Sequence, residues 1–195
     1  MLDKKTEKEI EKNIRKLFAK RDIIKEKKGK YTEFFLKNAQ DSFNSAKLLF
    51  NVSINNNLKN SLGFPNFNGY LWVINSSYYS MFYMARALLE SNGVKIKTEQ
   101  SIHAITYDAL VYYFYLTKKI EKSLIEEFQR AGIEASEILG KEKAKQLIEG
   151  YSNEKYKRER FTYEMGEIAM QNKAKTSLER ARLFNQEIRK MINTK

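Results

Sequence analysis

The chain has 195 residues, a formal net charge of +12, no cysteine, one histidine and one proline. Its length suits one well-buried domain. The absence of cysteine excludes a disulfide framework and a thiolate zinc site, and a lone histidine cannot build a histidine-based zinc site within one chain. The charge favours polyanionic partners such as nucleic acid, bound in a salt-sensitive way; a lysine-biased proteome accounts for it equally well.

The N-terminal stretch, residues 3–28, is crowded with lysine and glutamate, and its apolar residues are sparse: Ile10, Ile14, Leu17, Phe18, Ile23 and Ile24. That spacing predicts a charged helix with a narrow apolar seam. It lacks the apolar run of a secretory signal, so a cytoplasmic location is expected. Residues 32–51 predict a cleaner amphipathic helix, with Phe35, Ala39, Phe43, Ala46 and Phe50 at spacings of three and four. The following VSINNNLKNSLGFPNFNG reads as a long polar loop.

Residues 69–92, GYLWVINSSYYSMFYMARALLESN, are apolar on nearly every side of a helix. Such a helix is buried by neighbours on several sides. Asn75, Ser76, Ser77 and Arg86 interrupt it well short of the roughly 18 to 20 unbroken apolar residues of a membrane span. It is the expected centre of the fold. Gly93 is a candidate helix stop and Thr98 a candidate N-cap. Helical patterns then run over 100–117, over 118–139 to Gly140, over 141–165 and over 166–192, the last with Ala174, Leu178, Ala181, Phe184, Ile188 and Met191 on one seam. The expected fold is an all-α antiparallel bundle, with residues 1–30 as a charged helical extension and 31–195 as the bundle domain.

No glycine-rich phosphate loop is present, and nothing in the pattern asks for a cofactor or a metal. His103, in SIHAITYDAL at the start of a helix, has no marked nucleophile near it and reads as structural. One stretch stands apart, YKRERFTYEMGE over 156–167, where Lys157, Arg158 and Arg160 alternate with Tyr156, Phe161 and Tyr163. Arginine forks bind phosphate and aromatic faces stack on unpaired bases. On one continuous helix Arg160 and Tyr163 share a face while Arg158 points away. All three reach one ligand only if the helix begins or bends inside the motif. The alternative is that Phe161 and Tyr163 are core residues and the arginines are solvated.

The central YYSMFYMARALLESNGVKIKT resembles the helix signature of HEPN proteins, carried here by Tyr79, Met81, Phe82, Ala85, Ala87, Leu88, Leu89, Gly93, Lys97 and Thr98. The downstream Arg-x-Arg-x-x-Tyr-x-x-Gly pattern is similar to theirs at Arg158, Arg160, Tyr163 and Gly166. The resemblance covers residues 32–192. It implies an up-and-down helical bundle, a homodimer, and pairing with a minimal nucleotidyltransferase in a toxin–antitoxin-like system. It further implies RNA or nucleotide binding through Lys157, Arg158, Arg160 and Tyr163. Many relatives are metal-independent ribonucleases in which an arginine stabilises the transition state and a histidine moves the proton. Here Tyr163 stands where that histidine would be, so the catalytic pair would be Arg158 and Tyr163. Tyrosine ordinarily titrates near 10, which favours a binding module over a nuclease. A purely structural helical dimer is the third expectation.

Overall fold

The computed structural model describes the backbone at residues 2–26, 29–149 and 159–193, and side chains at those positions outside 141–167. The fold is an all-α bundle with one two-stranded ribbon. Its centre is α4 (Tyr70–Ser91), with Met81, Met84, Ala85, Leu88 and Leu89 essentially inaccessible. Trp72 is the exception to the all-round burial expected of this helix, and it faces solvent.

Helix α2 (Thr32–Ile54) packs along α4 through Ala39 and Ala46, both fully buried. Small side chains at these places let the two backbones approach closely. The Ser80 hydroxyl donates to the Ala39 carbonyl (2.7 Å) and accepts from the Asn185 amide on α7 (2.7 Å). Buried polar groups are tolerated when paired in this way. Helix α7 (Glu159–Asn193) covers α4 from the other side through Ala174, Ala181, Phe184 and Ile188.

The expected polar loop contains a short helix, α3 (Asn56–Ser61). Asn55 caps it by accepting from the Leu58 N–H, which is why an asparagine-rich stretch folds here rather than staying irregular. The Ser53 hydroxyl accepts from the Gly69 N–H at 2.8 Å and ties the two ends of the excursion together.

The N-terminal segment is helical only over α1 (Lys4–Ala19), not to residue 28. Asp3 caps it by accepting from the Thr6 N–H. Arg21, at φ +60°, reverses the chain into strand β1 (Ile23–Lys25), which pairs antiparallel with β2 (Val94–Ile96). Ile23 and Ile24, which fitted a helical seam by spacing, belong to this ribbon. Leu2, Ile10, Ile14 and Ile23 join the same apolar cluster as the centre of α4, so the charged segment is packed onto the bundle. Its inner face is also tied by polar contacts, with Asn13 donating to Asp108 (2.6 Å) and the Tyr115 hydroxyl to Glu7.

Gly93 ends α4 as expected, at φ +74°. Thr98 does not cap the next helix. Its hydroxyl accepts from Gln100 N–H, and α5 (Ile102–Leu110) starts after Ser101, itself left-handed at φ +55°. Helix α5 runs on into a π-helical turn, Val111–Tyr115, where Val111 and Phe114, three residues apart, both face the core. Helix α6 (Lys122–Glu149) passes straight through Gly140. An exposed mid-helix glycine costs only about 1 kcal/mol, which its helix-forming neighbours absorb. The Arg180 side chain, 8% exposed, joins α7 to α6 by pairing with Glu127 (2.5 Å) and Glu134 (2.6 Å). No helix among the described residues is long and apolar enough to cross a membrane.

Candidate functional site

Four elements bring an arginine, a histidine and a tyrosine together in a nest of rings. Tyr78, Phe82 and Arg86 are spaced four residues apart on α4 and so lie along one face. The turn at Gly93, the ribbon and the left-handed Ser101 return the chain so that His103, in the first turn of α5, lies against that face. Its ring centroid is 4.3 Å from Phe82, 5.5 Å from Tyr78 and 5.7 Å from Tyr79. Its Nδ1 and the Tyr78 hydroxyl are 2.7 Å apart.

Both partners of that hydrogen bond are neutral near pH 7. Burial, then the neighbouring Tyr79, pushes the Tyr78 phenol up to about 12. Burial, then the positive charge of Arg86, holds His103 below the usual imidazole range. The phenol is the stronger acid of the two neutral donors, so Tyr78 donates to Nδ1 and the proton of His103 sits on Nε2. No protein partner holds Nε2 among the described residues.

Arg86 is half-buried, with its guanidinium carbon 4.6 Å from the centre of the Phe35 ring on α2 and 6.0 Å from that of Phe82. Burial lowers its pKa, while the charge of Glu90 and then Tyr83 oppose that. The Glu90 carboxylate, one turn on, is itself buried and accepts from the Tyr31 N–H. Among the described residues Arg86 has neither an ion pair within 4 Å nor a hydrogen-bonded acceptor. A half-buried guanidinium without an acceptor keeps all five donors for a ligand. Lys30 and Lys95 flank Tyr31 at 5.8 and 5.1 Å and extend the positive end of the site.

On the other side of His103 a groove of about 380 Å³ opens between α5 and α6, reaching from Tyr78 and Tyr107 to Phe128, Gln129, Gly132 and Glu137. Phe128 stacks on Tyr78 with centroids 6.1 Å apart. The arrangement can therefore bind an anion at Arg86 and exchange a proton at His103 Nε2. No group of His, Asp or Glu among the described residues is arranged to hold a metal.

The residues expected from sequence fall outside the described side chains. Lys157 and Arg158 are outside the described residues, and for Arg160 and Tyr163 only the helical backbone is described. His103, read as structural, is packed and hydrogen-bonded as that reading requires, yet it also feels the positive charge of Arg86. Sequence reasoning passed over Arg86 as an interruption of an apolar helix. The available signal was its position two turns after Tyr78 on an aromatic stripe, since a cation is costly to bury without purpose.

The depressed pKa of His103 has a consequence for stability. The folded state binds its proton less readily than the unfolded chain, whose histidine titrates near 6.5. Its contribution is then complete above about pH 6.5 and is lost as pH falls through the lower folded-state value. Between pH 7.5 and 5.5 the thermal midpoint of the native chain should fall more than that of His103→Gln. Parallel declines would show that His103 is not held neutral by the fold.

Comparisons with protein families, curated proteins and solved structures return no match for this chain.

Proposed function

We propose that the protein is a HEPN-type RNA- or nucleotide-binding module that acts as a homodimer beside a minimal nucleotidyltransferase in a toxin–antitoxin-like pair. The observation that carries the binding reading is Arg86, a guanidinium set in aromatic rings with no acceptor among the described residues, on a chain of net charge +12. The guanidinium fork matches phosphate oxygens as it matches a carboxylate, and the net charge of the chain favours polyanions, of which nucleic acid is the one that carries planar bases beside its phosphates. The motif around Lys157, Arg158, Arg160 and Tyr163 supplies a second basic-aromatic contact under the same reading. Exposed Phe34, Leu48, Leu62, Phe64 and Trp72 offer apolar area to a second copy.

A second reading, a metal-independent endoribonuclease, draws support from His103. Proton transfer needs a group that titrates near the working pH, and Tyr163 alone does not provide one. His103 beside Arg86 offers one histidine and one arginine in the same cluster.

The test is anisotropy binding of a labelled single-stranded RNA over a salt series, with cleavage of the same RNA followed in the presence of chelator. Binding should weaken linearly in log[salt]. Arg158→Ala should weaken it without abolishing it, leaving the Arg86 contact in place. Cleavage that disappears in His103→Ala would establish the nuclease. Salt-independent or absent binding would remove the nucleic-acid reading altogether.

A further inference from the structure

In sequence the lysines and glutamates of α1 alternate; on the folded helix they separate. At about 100° per residue, Lys4, Lys5, Lys8, Lys12, Arg15 and Lys16 fall within an arc of about 120°. All six are exposed, and no acidic residue lies inside the arc. Glu9 borders it on one side and Glu11 on the other. Glu7 is turned toward the bundle and accepts from the Tyr115 hydroxyl. The arc lies opposite Ile10 and Ile14, which are buried in the core.

This face works against its own helix. Lys4, Lys8, Lys12 and Lys16 form an unbroken i,i+4 row, and each successive pair repels. A helix carrying charge only for solubility would interleave the signs at that spacing. Among the described residues the one ion pair on α1, Arg15 with Glu11 at 4.0 Å, is at the edge of the arc, and no carboxylate is within ion-pair distance of Lys8, Lys12 or Lys16. The helix is also held in place, by Ile10 and Ile14 in the core and by Asn13 donating to Asp108. The row is therefore a straight track with a lysine about every 6 Å, close to the spacing of successive phosphates along one nucleic-acid strand. A membrane surface suits it less well. Helices that lie in a lipid interface bury an apolar face there, and the apolar face of α1 is already taken by the bundle. Lysine, a point charge on a flexible stem, meets phosphate without reading bases.

We propose that the outer face of α1 is a nucleic-acid contact surface, a lysine track that takes the phosphate backbone of a single RNA strand without regard to sequence. The proposal rests on the RNA-binding reading and adds a surface that neither Arg86 nor the motif at 157–163 supplies. The test compares the variant with Lys8→Gln, Lys12→Gln and Lys16→Gln against one with Lys47→Gln, Lys173→Gln and Lys175→Gln, which removes the same charge from α2 and α7. Binding of labelled all-uridine and all-adenine RNA to the full chain is followed by anisotropy over a salt series. The α1 variant should bind both RNAs about tenfold or more weakly at low salt, by a similar factor, with a salt slope shallower by about 2, at about 0.7 per lost phosphate contact. Its thermal midpoint should hold or rise, because repulsion along the helix has been removed. The control variant should lose much less. Equal losses in the two variants would overturn the track, since net charge alone would then govern binding. An α1 variant that binds RNA like the native chain, while Arg86→Met weakens binding, would overturn the track and leave the RNA-binding reading standing. If that variant instead loses binding to phosphatidylserine vesicles, the face belongs to a membrane surface and the track is overturned. No salt-dependent binding of either RNA by the native chain would remove both.

Discussion

Replacing Arg86 by methionine should leave the thermal midpoint within a few degrees of the native value while RNA affinity falls by tenfold or more. The two effects separate because they draw on different states. In the free protein the guanidinium loses hydration, and among the described residues no carboxylate is in ion-pair contact with it. It recovers part of that cost from the Phe35 ring, an interaction of about 0.5–2 kcal/mol. Methionine fills similar space without the charge, and the buried Glu90 carboxylate, which loses the attraction of that charge, keeps its hydrogen bond from the Tyr31 N–H. In the complex the same arginine makes charge-assisted hydrogen bonds of about 1.5–3 kcal/mol, which methionine cannot replace. The salt slope should also become shallower by about 0.7 for a single strand, the signature of one lost phosphate contact. A purely structural arginine would behave in the opposite way, with the midpoint and the binding falling together. The histidine provides an internal readout. As the chain's only histidine, His103 gives unambiguous imidazole resonances, and removing the Arg86 charge should move its titration upward.

The part of the fold legible in the sequence is the part fixed by periodic burial. Helix α4 was visible because residues such as Val73, Met81, Ala85 and Leu88 leave no broad polar face, and α2 and the last helix because alanine recurs where backbones approach. Features set by backbone geometry were not visible. Three-residue strands are too short to show alternation, so Ile23 and Ile24 passed for helical positions until paired with Lys95 and Ile96. Gly140 carries no mark that separates a helix interior from a helix end. The site was hidden for a related reason. Motif reading looks for functional residues close in sequence, as at Lys157 to Tyr163, whereas Arg86 and His103 are joined by a turn, a strand and a left-handed serine. Each looked ordinary alone.

That connection predicts the other large effect: Gly93→Ala should destabilise the fold by about 3 kcal/mol or more, lowering the midpoint by roughly 6–12 °C for a chain of this size. Two costs add. The residue sits at φ +74°, where an L side chain pays about 1–2 kcal/mol. A Cβ there would also lie 1.9 Å from the Glu26 carbonyl oxygen, a backbone atom that cannot swing aside. Glu26 N–H donates to the Gly93 carbonyl at 2.8 Å, so displacing one strand breaks the ribbon at its closing bond. Gly63 supplies the control, since it has φ +78° and nothing within 4 Å of an added Cβ. Gly63→Ala should cost the conformational term alone. Gly140→Ala, in an open helical position, should instead stabilise by about 0.5–1 kcal/mol. If Gly93→Ala costs no more than Gly63→Ala, the ribbon yields freely and does not set the position of α5. If the full loss appears, it should carry function with it. The same turn returns the chain toward α4, so a ribbon forced apart would move His103 away from Tyr78, and its resonances would shift toward those of an ordinary, solvated histidine.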